Sequence, residues 1–268
     1  MMIGVLFAAV VYTASQGSAV QVKLPNEPHL KSVHVIWQKK TVPAFQVDAI
    51  WTTVLGVDLD AKPGEHAAEA VLTMDDGRLE RREIVVNVAA KKFPTTPLKV
   101  EGRFVELSKA DLARSKVESR EANAIYERTT TDLLPREPFT VPIPGAVGKN
   151  FGERRIFNGE PRAPHSGADL SAAAGTPVHA TNRGRVVLAK NLFFTGNTVI
   201  LDHGLGIISL YAHLSRIDVK SGEIVSNGQV VGLVGATGRV TAPHLHWGMR
   251  VQGARVDPFS LVRGFRLP

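Results

Sequence analysis

Cysteine is absent from all 268 residues of the chain. Disulfide bonds, thiolate metal sites and cysteine nucleophiles are therefore excluded, and any bound metal must rest on His, Asp or Glu side chains. Aromatic residues are scarce at 6%, whereas 44% of the residues are hydrophobic and 21% are charged. These proportions are typical of globular proteins and exclude collagen-like, coiled-coil and low-complexity classes. The length predicts about two domains.

Long apolar runs are missing as well. The longest occupies residues 1–14, which is short of the roughly 20 residues of a membrane-spanning helix, so no transmembrane helix is expected. The run suits the core of a signal peptide with cleavage after Ala19, although no Lys or Arg precedes it. We expect residues 1–19 to be a signal peptide or N-terminal anchor, which implies export to the periplasm, cell envelope or extracellular space. A buried N-terminal strand is the alternative.

Negative charge is scarce in the second half of the chain. The net charge is +7; residues 1–134 hold 17 basic and 17 acidic residues, and residues 135–268 hold 15 and 8. A basic domain can indicate nucleic acid, an anionic membrane or an acidic polymer as partner, or simply a soluble surface. Because no basic stripe with interleaved aromatic residues is present, no nucleic acid partner is expected. The sequence carries no signal of oligomeric state.

The first domain is predicted to be a small β-sandwich over residues 20–107. Short apolar runs alternate there between turn signals, and residues 75–77, Asp-Asp-Gly, indicate a hairpin turn. This pattern favours a sandwich of immunoglobulin type. His29, His34 and His66 are scattered through it and are interpreted as structural or surface residues.

A helix and a linker are predicted over residues 108–148. Ser108 and Asp111 have the spacing of a capping box, which predicts one amphipathic helix over residues 109–128. Four prolines between residues 135 and 144 then exclude helix and central strand, so this stretch is predicted to be an extended, fairly stiff linker. After it, short apolar runs separated by glycines predict a second all-β domain over residues 149–268.

Histidines and one aspartate in the second domain form the pattern that points to chemistry. The sequence His165-Ser-Gly-Ala-Asp169 can bend tightly enough to bring an imidazole and a carboxylate to one metal ion. In a strand, His244 and His246 point to the same face. Two histidines and one carboxylate, with one position left for water, are typical of a catalytic zinc site. A further histidine, such as His213, can then transfer a proton or stabilise an oxyanion, and amide hydrolysis is the natural reaction.

The order of these motifs resembles the M23 peptidase family, the lysostaphin-like and LytM-type peptidoglycan endopeptidases. The resemblance covers roughly residues 151–258. It rests on the segments His165-Ser-Gly-Ala-Asp169, Gly175-Thr-Pro-Val178, Gly196-Asn-Thr-Val199, Leu201-Asp-His-Gly204, Tyr211-Ala-His-Leu214, Gly235-Ala-Thr-Gly238 and Pro243-His-Leu-His246.

The resemblance implies a role for each of five residues. His165, Asp169 and His246 match the ligands of one Zn²⁺ per chain, and His213 and His244 match the histidines that assist the attacking water and stabilise the tetrahedral intermediate. The implied fold is an open antiparallel β-sheet with a groove, which makes the whole chain mostly β.

Two departures from the family pattern leave the substrate preference open. Ala242 replaces a usual Gly, and Trp247-Gly248 replaces a usual Phe-Glu; both departures are expected to concern the groove and not the zinc. His179 and His203 are interpreted as structural.

The leading hypothesis is therefore an exported zinc metalloendopeptidase that hydrolyses peptide cross-links of bacterial peptidoglycan. The N-terminal domain is expected to position the enzyme or to shade its groove without taking part in chemistry. One alternative is a noncatalytic envelope protein of the same fold that binds cell wall or activates another hydrolase. Another is a biotinyl- or lipoyl-type carrier module, suggested by residues 219–232, but the hairpin expected there offers no convincing lysine for acylation.

Overall fold

Two β structures, connected by a helix and an extended segment, make up the chain. The computed structural model describes residues 10–98, 102, 106–135, 137–148, 150–157 and 159–265. Within these residues the protein is mostly β, as predicted, and it has two helices where the sequence predicted one. Neither helix of this described part is long and apolar enough to cross a membrane.

The N-terminal part is a sandwich of two sheets. Its strands, with a ninth that follows them, are β1 (Val10–Ser15), β2 (Ser18–Pro25), β3 (Leu30–Trp37), β4 (Lys40–Pro43), β5 (Phe45–Val47), β6 (Ile50–Val57), β7 (Gly64–Met74), β8 (Leu79–Ala89) and β9 (Thr95–Leu98). One sheet has the order β1-β8-β7-β3-β4 and the other β2-β6-β5. Trp37, Leu55 and Ile84 fill the core with apolar residues that alternate along the strands. The predicted turn at residues 75–77 joins β7 to β8, and Gly77 adopts a φ of 86° there.

Residues 10–19 belong to this sandwich, which differs from the predicted division at Ala19. β1 runs parallel to β8, and β2 pairs with β6 from Ser18 onward. Ala14 and Val20 are buried in the sandwich core. A cut after Ala19 would remove β1 and divide β2, and β1 is an edge strand of which only Ala14 is buried. The remainder of the predicted signal segment, residues 1–9, lies outside the described residues.

The predicted helix begins at its capping pattern. Helix α1 spans Lys109–Tyr126, and Ser108 Oγ accepts a hydrogen bond from Asp111 N at 3.1 Å. Its apolar stripe is weaker than predicted, since Leu112 is exposed. Ile125, in the last turn, is buried against the outer face of the second domain's main sheet.

The described residues of the proline-rich segment after α1 form neither helix nor strand between residues 128 and 147, as predicted, but they pack into the second domain. Phe139 and Ile143 are buried in the main core of that domain. Leu134 N donates a hydrogen bond to His203 O at 3.0 Å. The segment predicted as a linker therefore contributes to the core that it was expected to precede.

The second domain is an open, mostly antiparallel sheet. Its elements are β10 (Arg154–Phe157), β11 (Glu160–Pro161), β12 (Gly167–Leu170), β13 (Pro177–His179), β14 (Gly184–Leu192), β15 (Gly196–Asp202), β16 (Ile207–Ile217), β17 (Ile224–Val225), β18 (Val230–Val234), β19 (Leu245–Val251), β20 (Ala254–Val256) and α2 (Pro258–Gly264). The main order is β12-β19-β16-β15-β14-β17; β18 pairs with β13 and β16, and β20 pairs with β19. Neighbours along the main order are antiparallel.

The sandwich and the second domain meet in a close contact. A Cβ on Gly56 of β6 would lie 2.3 Å from Val251 O, so only glycine allows this approach. Gln252 Oε1 accepts a hydrogen bond from Gly56 N at 3.1 Å, and its Nε2 donates to Val54 O at 3.1 Å and to Leu205 O at 2.7 Å. The Val54 side chain is buried in the core of the second domain. The two β structures are thus joined by apolar packing and by satisfied buried hydrogen bonds.

Candidate metal centre

Strand pairing brings the predicted ligands together. Asp169 on β12 lies directly opposite His246 on β19, and directly opposed residues of an antiparallel pair point to the same face. His165 lies two residues before β12 begins at Gly167, so the bend predicted in this motif returns its ring to the same face.

The three ligand atoms form a tight triangle. His165 Nε2 lies 2.8 Å from His246 Nδ1 and 3.0 Å from Asp169 Oδ1, and His246 Nδ1 lies 2.9 Å from Asp169 Oδ1. Zn²⁺ binds imidazole nitrogen and carboxylate oxygen at about 2.0–2.2 Å, so ligands of one ion lie within about 4 Å of one another. The observed donor set and spacing fit one such ion.

Residues around the triangle orient its members. Asn150 donates from Nδ2 to Asp169 Oδ2 at 2.8 Å, and Arg155 Nη2 donates to the same oxygen at 2.8 Å. His165 Nδ1 donates to Asn150 O at 2.9 Å, which leaves His165 Nε2 as the ligand atom. Burial raises the pKa of Asp169, but the neighbouring His165 and His246 outweigh burial and hold that pKa well below its usual range. Asp169 is therefore ionised, as a metal ligand must be.

Asn150 and Arg155 were missed by sequence reasoning. Asn150 lies in an irregular segment and Arg155 on the short strand β10, and both precede the His165 motif in a stretch where single polar residues give no recognisable spacing. Their contribution depends on the folded path of the chain, because β10 carries Arg155 to the Asp169 carboxylate.

Replacing Gly167 by alanine is expected to weaken zinc binding by about 10- to 100-fold, the usual cost of disturbing the residues around a metal ligand. A Cβ at Gly167 would lie 2.8 Å from the His246 ring and 2.6 Å from Trp247 O. The His246 ring must therefore move. Zinc affinity, measured by competition with a chelating dye, is the test. Gly102→Ala is the control, because no atom of the described residues beyond its chain neighbours lies within 4 Å of a Cβ placed there. Equal affinity in both variants would contradict the expectation.

A β-bulge positions His213. Two residues of β16, Ala212 and His213, lie opposite Thr198 alone, and His213 adopts a positive φ of 65°. Its N donates to Thr195 O at 2.8 Å. Bulges re-aim side chains, and non-glycine residues at positive φ are concentrated at functional sites. The bulge and the positive φ together set the direction of the His213 imidazole.

His213 and His244 form a second pair of rings beside the triangle. Their centroids are 4.9 Å apart, and His244 Nε2 lies 3.6 Å from Asp169 Oδ1. His213 Nδ1 donates to Thr237 O at 2.8 Å, and His244 Nδ1 donates to Ala242 O at 2.9 Å. In both rings this tautomer leaves Nε2 with its lone pair.

His213 is uncharged in its buried position. Burial, aided by the nearby His246, lowers the pKa of His213 to about 3. The ring is therefore neutral at physiological pH. Both His213 and His244 line one cleft together with the triangle. All five residues singled out in the sequence are thus brought to one place.

The other histidines lie elsewhere. His203 is fully buried, donates from Nδ1 to Arg183 O at 2.7 Å and lies 2.8 Å from Ser209 Oγ through Nε2. Burial lowers its pKa to about 4. His179 Nδ1 donates to Pro142 O at 3.0 Å. These contacts agree with the structural roles expected of both residues. None of the three sandwich histidines lines the cleft.

Ala242 and Trp247, which depart from the family pattern, were both expected to line the groove. This expectation is correct for Ala242 and wrong for Trp247. Ala242 lines the cleft. Trp247 does not: it is fully buried and packs edge-on against Phe259, with ring centroids 5.4 Å apart. Because residues alternate along β19, Trp247 must point to the face opposite that of its neighbour His246, into the core.

A residue from the N-terminal half also reaches the cleft. Thr96 on β9 lines it, and Thr96 Oγ1 donates to Glu153 Oε1 at 2.5 Å. β9 pairs in parallel with β10, which carries Arg155. The N-terminal part is thus placed to border the cleft, while its functional role stays a prediction.

Comparison with known proteins places these observations in context. The sequence model of one family, described as Peptidase family M23, matches residues 163–258. The crystal structure of a Pseudomonas aeruginosa protein described as a peptidase M23 is 33% identical and covers 94% of this chain and 96% of that one, with a TM-score of 0.73.

Two curated relatives come from Vibrio cholerae serotype O1. Peptidoglycan DD-endopeptidase ShyA is 45% identical over 112 residues, which are 41% of this chain and 26% of ShyA. Peptidoglycan DD-endopeptidase ShyB is 31% identical over 157 residues, which are 59% of this chain and 33% of ShyB. The chain therefore spans about a quarter to a third of the length of these curated relatives.

Proposed function

This chain belongs to peptidase family M23, and from that premise we propose that it is a zinc metalloendopeptidase that hydrolyses peptide cross-links of bacterial peptidoglycan. The two relatives described as peptidoglycan DD-endopeptidases support this substrate class. The same relationship supports an exported protein that acts in the cell envelope, with peptidoglycan as its partner.

One observation carries the proposal. His165, Asp169 and His246 converge with ligand atoms 2.8–3.0 Å apart, and His213 and His244 border the same cleft. A purely structural site would fill all four positions with protein ligands, whereas this one offers three and leaves a side accessible from the cleft.

When held by His165, Asp169 and His246, a Zn²⁺ ion would supply Lewis acidity for a peptide carbonyl and would lower the pKa of water enough for nucleophilic attack at neutral pH. The protein contributes three ligands and their orientation through Asn150 and Arg155. His246 would bind through Nδ1 and His165 through Nε2, since these are the atoms that meet.

His213 and His244 handle the proton and the developing charge. A neutral His213 accepts a proton at Nε2 while Thr237 O holds its Nδ1–H. Once protonated, such an imidazole can donate to the leaving amine nitrogen. His244, held by Ala242 O, is placed to donate a hydrogen bond from a protonated Nε2 to the oxyanion. Because the two rings lie side by side, either histidine is placed to accept the proton or to stabilise the oxyanion.

A noncatalytic wall-binding or activating protein of the same fold is the second candidate. Such a protein does not need a complete ligand triad, a strained His213 or two assisting histidines. No specific observation favours it over the enzyme.

Digestion of purified peptidoglycan tests the proposal. The protein is expected to convert cross-linked muropeptides into monomers, detected by mass spectrometry. A chelator should abolish the activity, because the nucleophilic water depends on the metal ion. A stoichiometric amount of Zn²⁺ should restore it. Unchanged muropeptides with zinc-loaded, folded protein would favour the noncatalytic alternative.

A further inference from the structure

Arg239 lies in the cleft between two aromatic rings. Its guanidinium carbon is 4.6 Å from the centroid of the Phe194 ring and 4.8 Å from that of Phe157. Arg239 N also donates to Phe194 O at 2.8 Å, which anchors the main chain. Contacts of this kind with ring faces fix a guanidinium and recover part of its lost hydration. Arg239 is thus held in place, yet the metal centre and the proton transfers make no use of it.

Positive charge accumulates around this side chain. Arg155, Arg162 and Arg239 all line the cleft. Arg155 is neutralised by Asp169 at 2.8 Å and Glu153 at 3.4 Å. No carboxylate of the described residues lies within ion-pair distance of Arg239. Burial, with repulsion from Arg155 and Arg162, lowers the pKa of Arg239 to about 10.

A half-buried cation beside two others is unfavourable unless a counter-charge arrives. The aromatic rings offset part of that penalty but supply no negative charge. A ligand that carries an anion would remove the repulsion and satisfy the donors of Arg239. Because the same cleft contains His213 and His244, such an anion would belong to a molecule bound at the site of reaction.

We propose that Arg239 binds a free carboxylate of the substrate peptide close to the scissile bond and thereby selects carboxylate-bearing cross-links over uncharged bridges. The proposal rests on the proposed function and specifies the substrate class of that same site. Guanidinium groups match carboxylates through two parallel hydrogen bonds, which gives direction as well as charge. Cross-linked peptides with free carboxylates offer this partner, whereas a bridge made only of glycine offers none along its length.

Two matched substrates test the proposal. Both are soluble cross-linked peptides of identical sequence, and in one of them every free carboxylate is converted to the amide. The zinc-loaded wild-type protein is expected to cleave the carboxylate form with a kcat/KM about 10- to 100-fold higher, the usual worth of a hydrogen-bonded charge. The difference should lie mainly in KM, because Arg239 contacts a part of the substrate that does not react.

Substitution of Arg239 shows whether this residue causes the preference. Arg239→Gln should reduce the preference to less than about threefold at unchanged zinc content. Arg239→Lys should retain an intermediate preference, because lysine keeps the positive charge but lacks the two parallel N–H donors of a guanidinium group. Arg185→Gln is the matched control: it removes the same charge from an exposed position on β14 and should preserve the preference of the wild type.

The outcomes distinguish the two proposals. If the wild-type protein cleaves neither peptide nor whole peptidoglycan, the proposed function fails, and this inference fails with it. If it cleaves both peptides equally well, or if Arg239→Gln keeps the full preference, the assignment of Arg239 is overturned while the peptidase function stands. If Arg185→Gln also lost the preference for the carboxylate peptide, net charge would explain that preference, and the assignment of Arg239 would again be overturned.

Discussion

Replacement of His246 by alanine is expected to remove zinc and activity together, whereas replacement of His244 by alanine removes activity alone. In the proposed site His246 is one of three protein ligands and binds through Nδ1, so its loss would leave His165 and Asp169. Zinc content should therefore fall to a small fraction of one per chain. Because metal binding is linked to folding, the melting temperature should fall as well.

His244 behaves differently because it stands outside the triangle. Its Nε2 lies 3.6 Å from Asp169 Oδ1, and its Nδ1 is held by Ala242 O. His244→Ala should keep zinc at full occupancy while the rate falls by about 10²–10⁴-fold, the usual contribution of a positioned acid or base. His213→Ala should fall in the same class.

Metal analysis by mass spectrometry and kinetics on the purified variants separate the two classes. His179→Ala is a suitable control, since it removes an imidazole of the same domain that lies outside the cleft. The assignment would be overturned by a His244→Ala protein that loses zinc or by a His246→Ala protein that keeps it at full occupancy.

The convergence of the five predicted residues could be anticipated in part, because local spacing determines the geometry within each motif, whereas the pairing of β12 with β19 brings the motifs together. The five-residue motif from His165 to Asp169 closes on itself, and the alternation of a strand places His244 and His246 together. The resemblance to a known family supplied the assignment of roles. His213 differs from the other four residues. The direction of its side chain depends on a β-bulge and a positive φ, which no sequence pattern predicts.

The supporting residues were not predictable, because long-range contacts define them. Asn150 and Arg155 contact Asp169 only after the chain has folded back. Arg239 could not be singled out because the two aromatic rings that contact it are distant in sequence. Thr96 reaches the cleft from the N-terminal half through parallel pairing of β9 with β10, which hydrophobic periodicity cannot reveal.

The domain division stays a prediction for a related reason. The apolar residues before Ala19 fit both a signal peptide and a strand by composition, and the pairing of β1 with β8 over residues 10–15 is a long-range contact. The prolines near residue 140 correctly excluded helix and central strand. They gave no information on burial, and Phe139 and Ile143 are core residues.

A fragment that begins at Pro138 is expected to be markedly less stable than the full chain and to lose most of its activity. The cut removes Ile125, which covers Leu188 and Ile200 on the outer face of the main sheet, and Val54, which is buried in the main core. Burial of one such side chain contributes about 1.5–3 kcal/mol. Losing several of these contacts consumes much of the about 5–15 kcal/mol that stabilises a typical domain.

The same cut removes polar contacts that the second domain needs. Asp58 Oδ1 accepts from Arg255 Nη2 at 2.5 Å, and Asp58 Oδ2 accepts from Arg255 Nε at 3.0 Å. Gln252 loses its partners on β6, and β10 loses β9. Since β10 carries Arg155, the Asp169 carboxylate should be less well oriented, which links the loss of stability to the loss of activity.

Two fragments separate the contributions of the helix and the sandwich. One begins at Pro138 and the other at Ser108, so the second keeps α1 and Ile125 while both lack β1–β9. Relative to the full chain, the shorter fragment should melt at least about 10 °C lower, or aggregate, because each kcal/mol moves the midpoint of a domain of this size by several degrees. The Ser108 fragment should recover part of that loss through Ile125 but should not recover full activity, because Arg155 still lacks the support of β9. If the Pro138 fragment matched the full chain in melting temperature, zinc content and kcat/KM, the sandwich would be a dispensable positioning module, and the contacts of Gly56, Asp58 and Val54 would carry no energetic weight for the site.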